Sequence, residues 1–452
     1  MILYKLKTIQ HKQYLEQLPK LPQKVEGLNT LFSPEDFRIA LINAILHASS
    51  RIYITALFLE NDDGGRDILN ALYLAKRQCP DLKISVLVDW HRAQRGRIGA
   101  GCSKTNSDWY CFIAEQYPNI SVPIYGIPVN TREALGVFHV KGFIVDNSVI
   151  YSGASLNDVY LHRHTQYRYD RYHFIENAFL ANSMSIYIED KLLTNPAVHR
   201  LDRKDRPKSS KIRHKIRQFR HILRSCAYTV PSLASNNELA LTPITGLGRH
   251  SLLNKTIHNL MRSAVDKVTL CTPYFNMPSL LVRNIIFLLR QNKQVEIIVG
   301  DKKANDFYIP ESEPFNIIGT LPYFYEMNLR HFIMRLQRFI DNGQLIVRIW
   351  KCDQHTFHVK GIWVDHEWQL ITGSNLNPRA WLLDLENAVL IHDPKHQLDN
   401  QFQKERGYIQ TNTDIIRSYY DIDTIYQYPK KVRKLIKRVS RIRIDLIIRR
   451  IL

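Results

Sequence analysis

The chain has 452 residues, 45% of them hydrophobic and 10% aromatic, a composition typical of a globular protein with roughly two or three domains. Its six cysteines form no C-x-x-C pair and no regular spacing, which argues against a zinc or disulfide framework and predicts a reducing, cytoplasmic location. The apolar stretches are too short for a membrane span, and the first residues lack the apolar core of a signal peptide.

Short apolar runs alternate with helical patterns in an order that occurs twice along the chain. The first half predicts a strand, a helix and two more strands at 51–59, 65–77, 83–89 and 124–127. The second half repeats this order at 267–272, 279–290, 294–301 and 345–350. The pattern predicts an α/β fold built by tandem duplication of one domain.

Changes in composition place the boundaries of these units. We predict a first α/β domain at 1–205, a basic linker at 206–231, a second α/β domain at 232–428 and a basic amphipathic helix at 429–452.

The motif H-x-K-x-x-x-x-D occurs once in each half. The first copy runs from His139 through Lys141 to Asp146, and the second from His358 through Lys360 to Asp365. Each copy is followed by a related tail with a glycine near its start and an asparagine at its end, at 152–157 and 372–377. Two aligned copies with matching tails are much stronger than one short motif, so we expect one shared active site.

The spacing within the motif separates the roles of its residues. Alternate residues of a strand share a face, so each His and its Lys point the same way, whereas Asp146 and Asp365 have the opposite parity. We therefore expect these aspartates to hold the hairpin turn together. In the tails, Asn157 and Asn377, with Ser155 and Asn375, are candidates to donate hydrogen bonds to phosphate oxygens.

Two imidazoles and two ammonium groups suit phosphoryl transfer to or from a diester or anhydride. One neutral His would attack phosphorus, the other would move protons, and Lys141 and Lys360 would offset charge on the oxygens. We expect no metal and no cofactor, since the sequence has no calcium loop, phosphate loop or H-E-x-x-H motif.

A nucleophilic imidazole needs a carboxylate on its far nitrogen. Asp170 and Glu386 each follow a motif His by about thirty residues, which allows a neighbouring strand, although an ordinary surface carboxylate remains the alternative.

The net charge of +20 is concentrated in two segments. Residues 200–224 hold eleven Lys or Arg and two Asp, and residues 430–452 hold ten Lys or Arg and one Asp, so each carries a net charge of +9. Nucleic acid and anionic lipid are both suitable partners. The C-terminal helix could dock on the protein with a solvated basic face, or insert its apolar stripe among lipid headgroups, the interpretation favoured by the motif.

The doubled motif with its tail resembles the phospholipase D superfamily. The stretches at 89–99, 130–136, 151–161, 271–276, 305–310 and 377–381 are similar to its bacterial phosphatidylserine synthase branch, and the likeness covers nearly the whole chain. The first tail, with Ala154 after Gly153, departs from the usual Gly-Ser-x-Asn, and the second lies one residue further from its motif.

The resemblance implies a phosphatidyltransferase that displaces CMP from CDP-diacylglycerol, forms a phosphatidyl-histidine and transfers the lipid to L-serine. It implies His139 as nucleophile and His358 as general acid/base, although the residues themselves are symmetric on this point. It also implies a cytoplasmic enzyme bound peripherally to the inner face of the cell membrane.

Three arginines, Arg92, Arg95 and Arg97, follow a predicted strand end and are candidates to bind the pyrophosphate or CMP. A basic loop that pairs with local acids is the alternative.

Three other functions stay open from the sequence. The chain could be a hydrolase in which water resolves the intermediate, or another phosphatidyltransferase such as a cardiolipin synthase. It could also be a nucleic-acid-binding protein whose degenerate site binds phosphate groups without catalysing a reaction. The sequence determines neither the selectivity for serine nor the oligomeric state.

Overall fold

The computed structural model describes residues 2–96 and 105–441, and the side chains of residues 8–96 and 105–438. Arg97 and residues 442–452 of the predicted C-terminal helix lie outside the described residues.

The helices of the described residues are α1 (Ile2–Glu16), α2 (Pro34–Leu46), α3 (Asp63–Gln78), α4 (Trp90–Ala93), α5 (Asn106–Gln116), α6 (Ala178–Ile186), α7 (Arg213–Leu223), α8 (Leu252–Arg262), α9 (Ser279–Arg290), α10 (Leu321–Asp341), α11 (Pro378–Leu382), α12 (Asp399–Gln410) and α13 (Lys430–Arg441).

The strands of the first half are β1 (Leu21–Pro22), β2 (Leu28–Leu31), β3 (Arg51–Thr55), β4 (Lys83–Asp89), β5 (Ile124–Ile127), β6 (Gly142–Val145), β7 (Ser148–Ser152), β8 (Arg168–Tyr169), β9 (Tyr172–Glu176) and β10 (His199–Arg200). Those of the second half are β11 (Ala240–Leu247), β12 (Lys267–Thr272), β13 (Gln294–Gly300), β14 (Leu345–Trp350), β15 (Thr356–Phe357), β16 (Gly361–Val364), β17 (Trp368–Thr372), β18 (Leu385–His392) and β19 (Thr413–Ile416).

The two halves form two large sheets with the same strand order. The first sheet is β10-β5-β4-β3-β6-β7-β9-β2, and the second is β19-β14-β13-β12-β16-β17-β18-β11 with β1 added at its edge. In each sheet three central strands run parallel and the strands on the motif side alternate in direction. The predicted α/β fold is confirmed, and the matching strand orders are those expected of a duplicated domain.

The predicted elements form for the expected reasons. Strand β4 is buried from Ile84 onward, as is usual for a parallel strand covered on both faces. Helix α3 begins at a capping residue, because the Asp62 carboxylate accepts a hydrogen bond from the Gly65 amide, and it buries Ile68, Leu69 and Leu72 on one face. The first predicted strand ends at Thr55, four residues earlier than expected.

Helix α1 and strand β1, within residues 2–22, pack on the second half, although the prediction groups them with the first domain, 1–205. Strand β1 pairs with β11, and helix α1 packs on α8, where Leu15 is buried and His11 Nδ1 lies 2.7 Å from Asn259 Oδ1. The sequence could not reveal this, because an apolar helix face does not specify the partner that covers it.

The two motif aspartates tie each hairpin turn to the neighbouring parallel strand. The Asp146 carboxylate accepts hydrogen bonds from the amides of Ser49, Ser50 and Arg51 at 2.8–3.1 Å and from both serine hydroxyls. Asp365 accepts from the amides of residues 265–267 at 2.8–2.9 Å. Their supporting position agrees with the strand parity.

The described part of the C-terminal helix docks on the protein. In α13, Val432 and Ile436 are buried against Tyr323, Phe324 and Tyr428. These two positions of the apolar stripe are therefore unavailable for insertion into lipid, which corrects the membrane-inserted interpretation for this part of the helix. Its exposed face is basic, with Lys430, Lys431, Lys434, Lys437 and Arg438.

Within residues 2–96 and 105–441, none of the helices combines the length and the apolar character needed to span a bilayer.

Replacing Asp146 with Asn should destabilise the protein by about 1–3 kcal/mol at neutral pH, because charge-assisted hydrogen bonds to the turn are weakened. Although burial raises the pKa of Asp146, the hydrogen bonds from Ser50 and Ser49 outweigh it and lower the pKa to about 2. The pKa of Asp146 is thus lower in the folded protein than its value of about 4 in the unfolded chain. The ionised carboxylate therefore stabilises the fold fully above about pH 4, and this stabilisation is lost as the pH falls toward 2.

Denaturant unfolding at several pH values checks this. The difference between wild type and Asp146→Asn should shrink below about pH 4. Asp353→Asn, at an exposed carboxylate, is the matched control. A difference that stays constant down to pH 3 would contradict a role for the charge.

Candidate active site

The first motif binds to the second half through its backbone. The His139 amide donates to the Leu385 carbonyl at 3.0 Å, and the Leu385 amide donates to the Val137 carbonyl at 3.0 Å. The Asn387 side chain accepts from the Lys141 amide and donates to the Lys141 carbonyl, both at 2.8 Å. His139 and Lys141 therefore precede β6, because their backbone groups bond to β18 of the other half.

The second motif binds to the first half in the corresponding way. The His358 amide donates to the Tyr169 carbonyl at 2.8 Å, and β15 runs parallel to β8. The Arg171 guanidinium donates to the Lys360 carbonyl and forms two hydrogen bonds of 2.8 and 2.9 Å with Glu405. Residues 169–171 thus play the part for the second motif that residues 385–387 play for the first.

The carboxylates cross between the halves. Glu386 lies 2.9 Å from Nδ1 of His139, and Asp170 lies 2.9 Å from Nδ1 of His358. Both predicted carboxylates therefore reach a motif histidine, but each contacts the histidine of the other half and not the one that it follows in the sequence. A histidine that donates from Nδ1 keeps its Nε2 lone pair for a reaction partner.

The lysine side chains occupy gaps left by the tail glycines of the other half. Lys141 Nζ donates to the Ala154 carbonyl and the Ser155 hydroxyl at 3.0 Å, and Lys360 Nζ donates to Asp170 at 2.9 Å. A methyl group at Gly373 would lie 2.6 Å from the Lys141 side chain. At Gly153 it would lie 2.7 Å from both Lys360 Nζ and Asp170 Oδ2. This close approach explains the glycine in each tail.

Burial controls the charges of the site. It lowers the pKa of His358 to about 3, and burial with the charges of Lys141 and Lys360 holds the pKa of His139 well below its usual range. Burial also lowers the pKa of Lys141 to about 7. Both imidazoles are therefore neutral at pH 7, and an entering anion would favour the protonated lysine.

The two carboxylates differ in charge. Burial would raise the pKa of Asp170, but Lys360 and His358 outweigh burial and lower it to about 2. Burial, together with nearby Asp384, raises the pKa of Glu386 well above its usual range. The pseudo-symmetric site is thus electrostatically asymmetric, with an ionised carboxylate on the His358 side.

The side-chain oxygens of the two predicted tail asparagines accept hydrogen bonds from backbone amides. Asn157 Oδ1 accepts from the Tyr160 amide at 3.1 Å, and Asn377 Oδ1 caps α11 by accepting from the Ala380 amide at 2.9 Å. Their amide groups stay candidates for phosphate contacts.

The predicted arginines pair with local acids, the alternative considered from the sequence. Arg92 lies 3.4 Å from Glu60, and Arg95 forms two hydrogen bonds, of 2.5 and 2.9 Å, with Glu133. Their role in binding pyrophosphate or CMP is a prediction that these contacts do not favour.

Four side chains around His358 were not singled out from the sequence. The Tyr160 hydroxyl lies 3.2 Å from His358 Nδ1, and the ring of Tyr274 lies 6.3 Å from the imidazole. Arg168 stacks on Tyr160, and Asp306 accepts a hydrogen bond from Tyr274. The stretches 151–161, 271–276 and 305–310 had marked three of them through the resemblance alone.

Known proteins match both the sequence and this fold. A family model described as "Cardiolipin synthase, PLD-like domain" matches residues 257–406. The chain is 58% identical to the CDP-diacylglycerol–serine O-phosphatidyltransferase of Escherichia coli strain K12, over 100% of both chains. It is 46% identical to the Haemophilus influenzae strain Rd enzyme of the same name, over 99% of both.

The crystal structure of phosphatidylserine synthase from Haemophilus influenzae Rd KW20 superposes with a TM-score of 0.95 at 44% identity, covering 99% of this chain and 100% of that one. The resemblance read from the doubled motif is confirmed. The chain belongs to the CDP-diacylglycerol–serine O-phosphatidyltransferase family, on a phospholipase D-like fold.

Proposed function

We propose that the protein makes phosphatidylserine and CMP from CDP-diacylglycerol and L-serine, as the names of its full-length relatives state for them. The observation that carries the proposal is the pair of crossed His–carboxylate contacts, each with a buried lysine, at one joint site.

In the first step, His139 Nε2 attacks the phosphorus that bears the diacylglycerol. The bond from this phosphorus to the bridging oxygen breaks, and CMP leaves with that oxygen as part of its phosphate. The second pKa of such a phosphate is near 6, so this departure needs little help from an acid. The product is a phosphatidyl-histidine.

In the second step, the serine hydroxyl oxygen attacks the same phosphorus. Its proton passes to His358 Nε2, the phosphorus–nitrogen bond breaks, and His139 returns to its neutral form. In both steps, Lys141 and Lys360 offset the charge on the non-bridging oxygens. This electrostatic attraction is stronger in a buried site than in water.

The ionised Asp170 supports the role of His358 as the base. When His358 accepts a proton it becomes an imidazolium, and the ionised Asp170 at 2.9 Å stabilises that charge. His139, whose pKa is lowered by burial and by the charges of Lys141 and Lys360, is neutral and is suited to attack phosphorus with its Nε2 lone pair.

A membrane-surface location follows from the substrate, because the diacylglycerol part stays in the bilayer. Two basic helices, α7 and α13, carry much of the net positive charge of the described residues. Arg220 of α7 donates to the Leu383 carbonyl at 3.2 Å, three residues before Glu386, and α13 packs against the turn at 317–320. Leu382 and Ile317, close to these contacts, expose apolar side chains. We propose that this side of the protein faces anionic lipid on the inner face of the cell membrane.

Two alternatives make different predictions. A hydrolase of the same fold would release phosphatidate from the phosphatidyl-enzyme. A nucleic-acid-binding protein would bind RNA through the basic segment 200–224 with steep salt dependence and would turn over no lipid.

The products distinguish these functions. With CDP-diacylglycerol and L-serine the protein should form phosphatidylserine and CMP, and phosphatidate should be at most a minor product. Phosphatidate in equal yield with and without serine would identify a hydrolase, and no turnover would favour the binding protein.

The histidine roles predict separate effects on the two steps. His358→Ala should slow transfer to serine more than it slows formation of the covalent enzyme, since deprotonating the hydroxyl makes the larger demand on a base. Labelled phosphatidyl-enzyme should accumulate in His358→Ala and be absent from His139→Ala. The reverse pattern of labelling would exchange the two assignments.

Gly153→Ala should lower kcat by about a hundredfold, because the new methyl group displaces Lys360 and Asp170 from His358. The thermal midpoint should change little, since flexible side-chain ends can move aside. Gly407→Ala is the matched control, because a methyl group there meets nothing within 4 Å. Equal activity in the two variants would contradict the role of the Lys360–Asp170 contact.

Reversing three charges of α13, with Lys431→Glu, Lys434→Glu and Lys437→Glu together, should weaken binding to phosphatidylglycerol vesicles at least about tenfold, since each surface cation contributes about 1 kcal/mol. Cosedimentation at low and high salt measures it. The control reverses three exposed lysines elsewhere, Lys24, Lys255 and Lys395. Equal losses in both triple variants would assign the effect to net charge and contradict a specific role of α13.

A further inference from the structure

An ion pair that the proposed reaction does not use lies on the His358 side of the site. Nη1 of Arg168, on β8, lies 3.5 Å from Oδ2 of Asp306, which follows β13. Both side chains are partly accessible, at 16% and 18% exposure. The catalytic lysine and carboxylate nearby, Lys360 and Asp170, are by contrast almost fully buried.

Each member of this pair is separated from His358 by one aromatic ring. The Arg168 guanidinium carbon lies 4.8 Å from the ring centre of Tyr160, which lies 5.3 Å from the imidazole. Asp306 accepts the hydroxyl hydrogen bond of Tyr274, whose ring lies 6.3 Å from the imidazole. A cation, an anion and two rings thus surround the proposed base.

The contact between the two charges is loose. The Arg171–Glu405 pair forms two hydrogen bonds, of 2.8 and 2.9 Å, whereas Arg168 approaches Asp306 at 3.5 Å and turns its Nε to Thr356 Oγ1 at 3.1 Å. Because Nη1 approaches Asp306 only at 3.5 Å, the guanidinium has N–H groups that a second carboxylate could accept from.

We propose that Arg168 and Asp306 form the subsite that recognises the α-carboxylate and α-ammonium groups of L-serine and presents its hydroxyl to His358. This inference rests on the proposed function. The guanidinium fork matches a carboxylate, and an ammonium group fits between a carboxylate and the faces of tyrosine rings. A zwitterion inserted between the two residues pairs every charge.

The subsite gives a physical reason for selecting serine over water or glycerol. Water and glycerol can form only hydrogen bonds without a second charge to Arg168 and Asp306, which are weaker than the two charge-assisted contacts of serine, and a site built for charged groups discriminates against ligands that lack them. Tyr160 and Tyr274 connect recognition to chemistry, because each contacts both a recognising charge and His358 or its immediate surroundings.

The first experiment separates serine binding from the lipid half-reaction. Arg168→Gln and Asp306→Asn should each raise the KM for L-serine by about a hundredfold or more, since a charge-assisted contact is lost. Exchange of labelled CMP into CDP-diacylglycerol, in which serine takes no part, should persist. Arg168→Lys, which keeps the charge but not the fork, should lie between wild type and Arg168→Gln.

The second experiment uses acceptors that each lack one group of serine. Ethanolamine has no carboxylate, so its low kcat/KM should be the same in wild type and Arg168→Gln but fall in Asp306→Asn. The acceptor 3-hydroxypropanoate has no ammonium group, so it should be insensitive to Asp306→Asn and sensitive to Arg168→Gln. This reciprocal pattern is specific to a divided zwitterion site.

The matched control is another arginine–aspartate pair, Arg163 with Asp67, at 2.7 Å and with side chains 42% and 35% exposed. Arg163→Gln and Asp67→Asn should leave the KM for serine unchanged. An unchanged KM in Arg168→Gln and Asp306→Asn, or a parallel loss of CMP exchange and transfer, would overturn the subsite. Failure of the wild-type protein to form phosphatidylserine would instead overturn the proposed function.

Discussion

The site depends on an exchange of three-residue segments between the halves. Residues 385–387 bind the backbone of the first motif and supply its carboxylate, and residues 169–171 do the same for the second. Neither half holds a motif histidine with its carboxylate unless the other half is present. The candidate active site therefore lies in the interface between the halves, and side chains that bind the motif backbone, such as Asn387 and Arg171, hold the candidate residues in place.

Burial makes this arrangement electrostatically demanding. Two lysines, two imidazoles and two carboxyl groups lie out of water, where charged forms are costly unless paired. The imidazoles respond by staying neutral, and Glu386 tends to keep its proton. Ionised Asp170 is the exception, since Lys360 contacts it directly. A bound anion would stabilise the protonated lysines of this site, and the pyrophosphate of the proposed substrate is such an anion.

The docking of α13 limits how this helix can contact a membrane. The described apolar positions of α13 are used to dock the helix, so in the proposed orientation its contribution at a membrane is electrostatic. The exposed apolar side chains of Leu382 and Ile317, close to the contacts of α7 and α13, could enter the headgroup layer in that orientation.

Much of the fold and part of the site could be predicted from the sequence, because the signals are local. Alternating apolar runs and helix patterns located β3, α3, β4 and their counterparts, and strand parity separated Asp146 and Asp365 from the histidines and lysines. The doubled motif identified His139, Lys141, His358 and Lys360 as one set, and spacing drew attention to Asp170 and Glu386.

What the sequence by itself determined was thus the family and the candidate residues for its chemistry. The tertiary structure decided which carboxylate serves which histidine, that α1 and β1 join the second half, and that Arg92 and Arg95 face acids. It also brought Arg168 and Asp306, 138 positions apart, to one side of His358. These are contacts between distant segments, and local periodicity specifies which face of an element is buried but not which partner covers it.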